Sequence, residues 1–96
     1  MDLKQQLKES TARIRWSDLK SDILRDVIIL VSSDLDVLEV AEACALDKKE
    51  IFEKWITENK IIKTDASQHE LWNERNPIFE CCMVKPFIFI QEILLN

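Results

Sequence analysis

The residues able to do chemistry in this chain are few. His69, in QHELW, is its only histidine, and its three cysteines stand at 44, 81 and 82. A zinc site or a general base needs partners at usable spacing, and a single histidine with no motif around it has none. His69 is therefore expected as a surface or half-buried helical residue beside Trp72. Cys81 and Cys82 are adjacent, so in a strand their thiols point to opposite faces and are poorly placed for one tetrahedral metal. Cys81 is expected inward with Phe79 and Met83, and Cys82 on the side of Glu80. An odd cysteine count with two neighbours does not form a disulfide framework, so reduced structural thiols are expected. No catalytic set, metal or cofactor emerges, and the chain is not expected to be an enzyme.

Two charged groups remain. Asp34, Asp36, Glu39 and Glu42 recur at helical spacing and lack the looped ligand pattern of calcium sites, so they describe a solvated face. Lys48, Lys49 and Lys54 lie in the second half of LDVLEVAEACALDKKEIFEKWITENKII, residues 35–62. That stretch is patterned like a helix-turn-helix, and these lysines are the candidates for DNA contact. A reading helix needs a net cationic face to grip phosphate. From Asp47 to Lys60, however, four lysines meet four carboxylates (Asp47, Glu50, Glu53, Glu58). The preceding helix adds only carboxylates. Pairs such as Lys49–Glu53 and Glu50–Lys54 suit a solvated helix face better. DNA binding is the lesser of the two functional readings.

Composition points the same way. The 96 residues carry a formal charge of -5, with 47% hydrophobic and 32% charged residues. An acidic surface repels phosphate backbones and anionic lipid. The chain contains no glycine, which excludes the phosphate-cradling loops and dinucleotide fingerprints that need one. Left-handed backbone positions must then fall to Asn or Asp, with Asn59 and Asn76 the first choices. MDLKQQLKES has no apolar run resembling a signal peptide, and VIILV is far too short for a membrane span. A cytoplasmic protein with no membrane partner is expected.

The elements follow from periodicity. Residues 2–12 read as a polar helix with Leu3, Leu7 and Ile14 on one side. A second helix, capped by Ser17, carries Leu19, Ile23 and Leu24 inward. VIILV at 27–31 is a buried strand. Ser33 is expected to cap the next helix, with Val37, Leu38, Val40, Ala41, Cys44 and Ala45 on its apolar face. Asp47 with Glu50 forms a capping box that restarts a helix buried through Ile51, Phe52, Trp55 and Ile56. Ile61 and Ile62 give a short strand. A further helix runs from the Asp65–Gln68 capping box to Asn76 and Pro77. FECCMV and PFIFIQE form two strands about Lys85–Pro86.

This order predicts one α+β domain over residues 1–96, winged-helix-like and helix-rich. A small antiparallel sheet with a C-terminal hairpin completes it, and the helix-turn-helix-like pair lies within 34–60. ESTARIRW at 9–16, LDVLEVA at 35–41 with Asp47 and Trp55, and PFIFIQE at 86–92 together resemble a bacterial family of short acidic proteins. It is the domain of unknown function numbered twenty-two eighty-eight. The resemblance spans nearly the whole chain and implies a bacterial cytoplasmic protein with no assigned activity.

The reading that results is a non-enzymatic protein-interaction module on a degenerate winged-helix scaffold, acting on an unknown protein partner or by self-association. The alternative is a DNA-binding regulator of helix-turn-helix type. Contact is expected near the C-terminus, in PFIFIQEILLN, with Phe87 or Trp16 as anchor and Gln91 and Glu92 at the rim. Ile93, Leu94 and Leu95 either tuck under the first helix or meet another chain.

Overall fold

A computed structural model describes residues 3–19 and 27–93. Its centre is a five-stranded sheet in the order β1-β4-β5-β2-β3. The strands are β1 (Ala12–Arg15), β2 (Ile28–Val31), β3 (Ile61–Lys63), β4 (Ile78–Val84) and β5 (Phe87–Glu92). β2 and β5 run parallel; the other neighbouring pairs are antiparallel. The expected C-terminal hairpin is present as β4–β5. The expected small antiparallel sheet is instead a wider, mixed one, because β5 pairs on its far side with β2.

Helices cover both faces of the sheet. On one side α1 (Leu3–Ser10), α3 (Val37–Ala45) and α4 (Lys49–Thr57) bury Leu7, Val37, Val40, Ala41, Ala43 and Trp55 against Val31, Cys82 and Phe89. On the other, α2 (Trp16–Leu19) and α5 (Ala66–Arg75) bury Trp16, Leu19 and Trp72 against Ile28, Phe79, Ile88 and Ile90. This double cover explains the unbroken apolar runs in β2 and β5, since a strand buried on both faces has no polar side to show. Ile88, Phe89 and Ile90 are all buried, as an internal strand requires.

Several local expectations are corrected. The first helix ends at Ser10, and Ile14 belongs to edge strand β1, paired with Phe79 of β4. α2 starts at Trp16 rather than after a Ser17 cap, and the Ser17 N–H is met by Asn76 Oδ1 at 2.9 Å. Ile23 and Leu24 lie outside the described residues. α3 starts three residues later than expected, with Asp36 as N-cap accepting from the Leu38 N–H at 3.0 Å. Ser33 and Asp34 belong to the turn before it. Ala43 joins the buried face, while Ala45 is exposed.

The corner between α3 and α4 replaces the expected Asp47 capping box. Asp47 has φ 55, so it is a helix terminator and not a cap. Its N–H bonds to Cys44 O at 3.1 Å, and the Lys48 N–H bonds to Ala43 O at 2.9 Å. That is the paired closure of a Schellman motif, made with aspartate where glycine is usual. α4 ends the same way: Asn59, at φ 58, closes on Ile56 O and Lys60 on Trp55 O. Asn76 is left-handed as expected, and the Asp65–Gln68 capping box of α5 is formed. Cys81 and Cys82 do face opposite ways, but both faces are covered. Cys82 is the fully buried one, and Met83 is half exposed.

Candidate functional site

α4 leaves part of its apolar surface uncovered; Leu71 on α5 and Met83 on β4 are also exposed, each singly. Trp55 is buried to 6%. Phe52 reaches the sheet, packing edge-on to Trp55 and to Phe89 with ring centroids 6.1 Å apart in each case. Ile56, one turn further, projects past the short strand β3 and stays 54% exposed. Phe87, first residue of β5, lies 6.2 Å from Phe89 and is exposed as well. Periodicity placed Ile56 on the buried side of α4 with Ile51, Phe52 and Trp55, and the structure corrects this, leaving Ile56 exposed. Periodicity did not show that the three residues of β3 are too few to cover that face.

The result is an open groove with two depressions that share Phe52 and Phe87. The larger, about 480 Å³, lies between α4 and β3 and is lined by Ile29, Ile56, Ile61 and Ile62, with Lys63 and Asn59 at its border. The smaller, about 280 Å³, lies at the α3–α4 corner beside Ala43, Cys44, Asp47, Lys48 and Lys49. Burial, and then the nearby Asp47 carboxylate, push the Cys44 thiol above its ordinary pKa. A thiol held protonated is a weak nucleophile, so Cys44 contributes apolar surface rather than chemistry.

The four residues expected to form one contact surface do not come together. Trp16 is 1% exposed. Its indole N–H donates to Asn73 Oδ1 at 2.8 Å and its ring stacks on His69 at 5.1 Å, so it anchors the core and not a partner. Gln91 is turned to main-chain carbonyls of Ser32 and Leu35. Glu92 is exposed beside a neighbouring hollow that Gln91 also lines, with Ser32, Ser33 and Lys60, and that shares Asn59 and Ile62 with the larger depression. Four residues of strand put Gln91 about 13 Å from Phe87. Phe87 alone of the four sits on the groove. Of the tail, Ile93 is tied to the sheet, its N–H bonding to Ile78 O at 3.0 Å. It borders Ile14 and Ile78 rather than the first helix. Leu94 and Leu95 lie outside the described residues.

The remaining charged and polar candidates are engaged or scattered. His69 is half-buried on α5, with Nε2 2.8 Å from Thr64 Oγ1. Asp34 accepts from Ser32 Oγ and pairs with Lys60 Nζ at 2.9 Å. The Ser32 hydroxyl and then Lys60 hold the Asp34 carboxyl below its usual range. Among the described residues, no three His, Cys, Asp or Glu side chains converge on one point. Among the same residues, no helix is long and apolar enough to cross a membrane. Lys49 and Lys54 are exposed on α4 with Glu50 and Glu53, and Asp47 and Lys48 are exposed at the corner before it. Lys49 stands 4.0 Å from Asp47 Oδ2.

The family model described as "Protein of unknown function (DUF2288)" matches residues 2–92. The chain belongs to that family. The NMR solution structure of PA1075 from Pseudomonas aeruginosa is similar to it, with 31% identity and a TM-score of 0.80. That similarity covers 94% of this chain and 87% of the other. No curated protein matches the chain. The family membership agrees with the resemblance carried by ESTARIRW, LDVLEVA and PFIFIQE. Its description names no activity, so a functional reading has to start from the surface.

Proposed function

We propose that this chain is a non-enzymatic protein-interaction module of the cytoplasm that docks a partner in the apolar groove between α4 and β3. One observation carries this reading. Phe52, Ile56, Ile62 and Phe87 line one open groove, and the last three are exposed. Contiguous apolar patches of this kind are uncommon on monomers and mark contact sites. Interfaces favour a central aromatic anchor, and Phe87 has that position. The winged-helix part of this reading rests on the α3–corner–α4 pair and the terminal hairpin. Edge strand β1, helix α5 and the parallel β2–β5 pairing are additions to that plan.

The test is affinity capture with the intact chain and with an Ile56→Glu, Phe87→Glu variant whose fold is checked by circular dichroism. A partner recovered by the native protein and lost with the variant is the expected result. Recovery of the same proteins by both baits defeats the reading.

A further inference from the structure

Away from the α4–β3 groove, we infer that the outer edge of β1 takes an extended segment of a partner protein with carboxylates at two alternate positions. β1 ends the sheet on its side, and among the described residues no strand pairs with its outer edge. The direction of its main-chain groups follows from the ladder. The Trp16 N–H bonds to Pro77 O at 3.0 Å, one step beyond the Arg15–Ile78 pair. Antiparallel bonds recur at every second residue, so Ala12 and Ile14 also turn their N–H and C=O groups to β4. Arg13 and Arg15 therefore present theirs to the outer edge. A row of this kind is a template for one more strand.

The side chains decide which strand. Arg13 and Arg15 are two residues apart, so both rise from one face of the sheet, about 7 Å from each other. Both are exposed. Among the described residues the Arg13 guanidinium has no hydrogen bond or ion pair, and Glu80, its neighbour across the ladder, makes none with it. Arg15 gives one N–H to the Asn76 carbonyl at 3.3 Å, a neutral acceptor that brings no compensating charge. An open hollow of about 250 Å³ beside them, lined by Ile14, Ile78 and Ile93, leaves room for a partner side chain. A strand bonded to the main chain of Arg13 and Arg15 sets its own alternate residues directly opposite them, on the same face and at the same spacing. Carboxylates at those positions meet the guanidinium groups in charge-assisted hydrogen bonds, about twice as strong as neutral ones. A second copy is excluded on the same ground. Antiparallel self-pairing through all four main-chain groups would set its Arg15 against this Arg13, like charge against like. The two arginines thus close the edge to another copy and select an acidic strand.

The experiment uses the intact chain, isotope-labelled for NMR, and three synthetic peptides of one extended, threonine- and valine-rich design. One has glutamates at two alternate positions, and its twin has lysines there. The third is the glutamate peptide N-methylated at both glutamates, whose amides would face β1. The glutamate peptide is expected to shift the amides of Arg13 and Arg15 and to slow their hydrogen exchange. Ile14, already bonded to β4, should change little. The affinity is expected to exceed that of the lysine twin by about tenfold or more and to fall with added salt. The N-methylated peptide should not bind. Arg13→Glu with Arg15→Glu, both at exposed positions, should reverse the preference between the glutamate and lysine peptides. Equal binding of those two peptides, undiminished binding of the methylated one, or no binding at all overturns the inference. So does a native dimer that Arg13→Glu dissociates. Shifts at Ile56 and Phe87 in place of β1 defeat this inference and leave the docking reading standing. Capture that survives Ile56→Glu with Phe87→Glu defeats the docking reading alone, because the β1 edge does not depend on the groove.

Discussion

The side-chain amide of Gln91 donates to the main-chain carbonyl of Ser32 at 2.7 Å. The same nitrogen also donates to Leu35 O. Gln91 thus links the end of β5 to the turn that launches α3, and α3 in turn carries the wall of the groove at Ala43 and Cys44. The site depends on a strand–loop tie at the opposite end of β5. Without Gln91 the Ser32 carbonyl still accepts from the Leu35 N–H at 3.1 Å, so the tie contributes about one ordinary hydrogen bond, roughly 0.5–1.5 kcal/mol.

Gln91→Leu is therefore expected to lose about 0.5–1.5 kcal/mol in urea denaturation, since it removes the donor and roughly keeps the volume. Gln91→Glu should lose more at neutral pH, because a carboxylate then faces two carbonyl oxygens. Its deficit should shrink in acid, where the protonated carboxyl donates again. Equal stability of native and Leu variants would show that the tie is not structural.

Asp34 and Lys60 give a pH dependence with a definite sign. The folded state holds the Asp34 carboxyl below its ordinary value of 3.8, through Ser32 first and Lys60 second. It holds the Lys60 ammonium above its ordinary 10.5, through Asp34. The Asp34 contribution is thus present above the unfolded carboxylate value and lost as pH falls through the lowered one. The Lys60 contribution is present below the unfolded lysine value and lost as pH rises through the raised one. The gap in melting temperature between native protein and Asp34→Asn should be small, level between about pH 5 and 9, and should close in acid. A gap that widens in acid would contradict the pairing.

Much of the fold was legible where a local rule met its usual residue. VIILV, the Asp65–Gln68 capping box and the hairpin about Lys85–Pro86 all follow from short-range patterns. What failed depended on partners distant in sequence. ARIR at 12–15 looks polar and helical by itself and becomes a strand because β4 offers it an edge. Cys82 is buried because α1 and α3 cover a face that alternation alone leaves open to solvent. Phe87 stands out in the sequence from its terminal strand and lines the groove. Ile56 and Ile62 do not stand out in this way, because their exposure follows from how far α4 overhangs a three-residue strand.

The absence of glycine makes the helix ends a test of their own. Asp47, Asn59 and Asn76 all adopt positive φ. Asn59→Ala is expected to lose about 1 kcal/mol, because a Cβ without a local polar partner is strained there. Asn59→Gly should stay within about 0.5 kcal/mol of native, the relieved strain offsetting the looser unfolded chain. Asn76→Gly should fare worse than Asn59→Gly, since Asn76 Oδ1 also accepts from the Ser17 N–H. Thermal melts of the three variants measure the ranking, and an Asn76→Gly as stable as Asn59→Gly would show that the Ser17 bond contributes nothing.

Nucleic-acid binding has its own outcome. Lys49 and Lys54 are exposed on α4 with Glu50 and Glu53, Lys48 is exposed just before them, and Asp36 and Glu39 stand exposed at the cap and on the first turn of α3. Phosphate binding there would set each carboxylate against the backbone charge. Mixed duplex DNA is expected to show no mobility shift at micromolar protein in low salt. A salt-sensitive shift abolished by Lys48→Glu with Lys49→Glu would restore the DNA-binding alternative.

Cys44 supplies a reporter for the groove. It lines the smaller depression, and burial with the Asp47 carboxylate keeps its thiol protonated at neutral pH. Only the thiolate attacks an alkylating agent, so Cys44 should react more slowly with iodoacetamide at neutral pH than a free cysteine in solution. Asp47→Asn removes the second of the two causes and should speed the reaction, while burial continues to slow it. A bulky maleimide attached at Cys44 occupies the corner depression and should block any ligand that needs it, with the circular dichroism spectrum unchanged. Cys82 is fully buried in the core and should resist labelling until the chain unfolds. Mass spectrometry after timed labelling separates these sites by peptide. Fast labelling of Cys44, or full ligand binding by the Cys44 adduct, would place the working surface elsewhere than the α3–α4 corner.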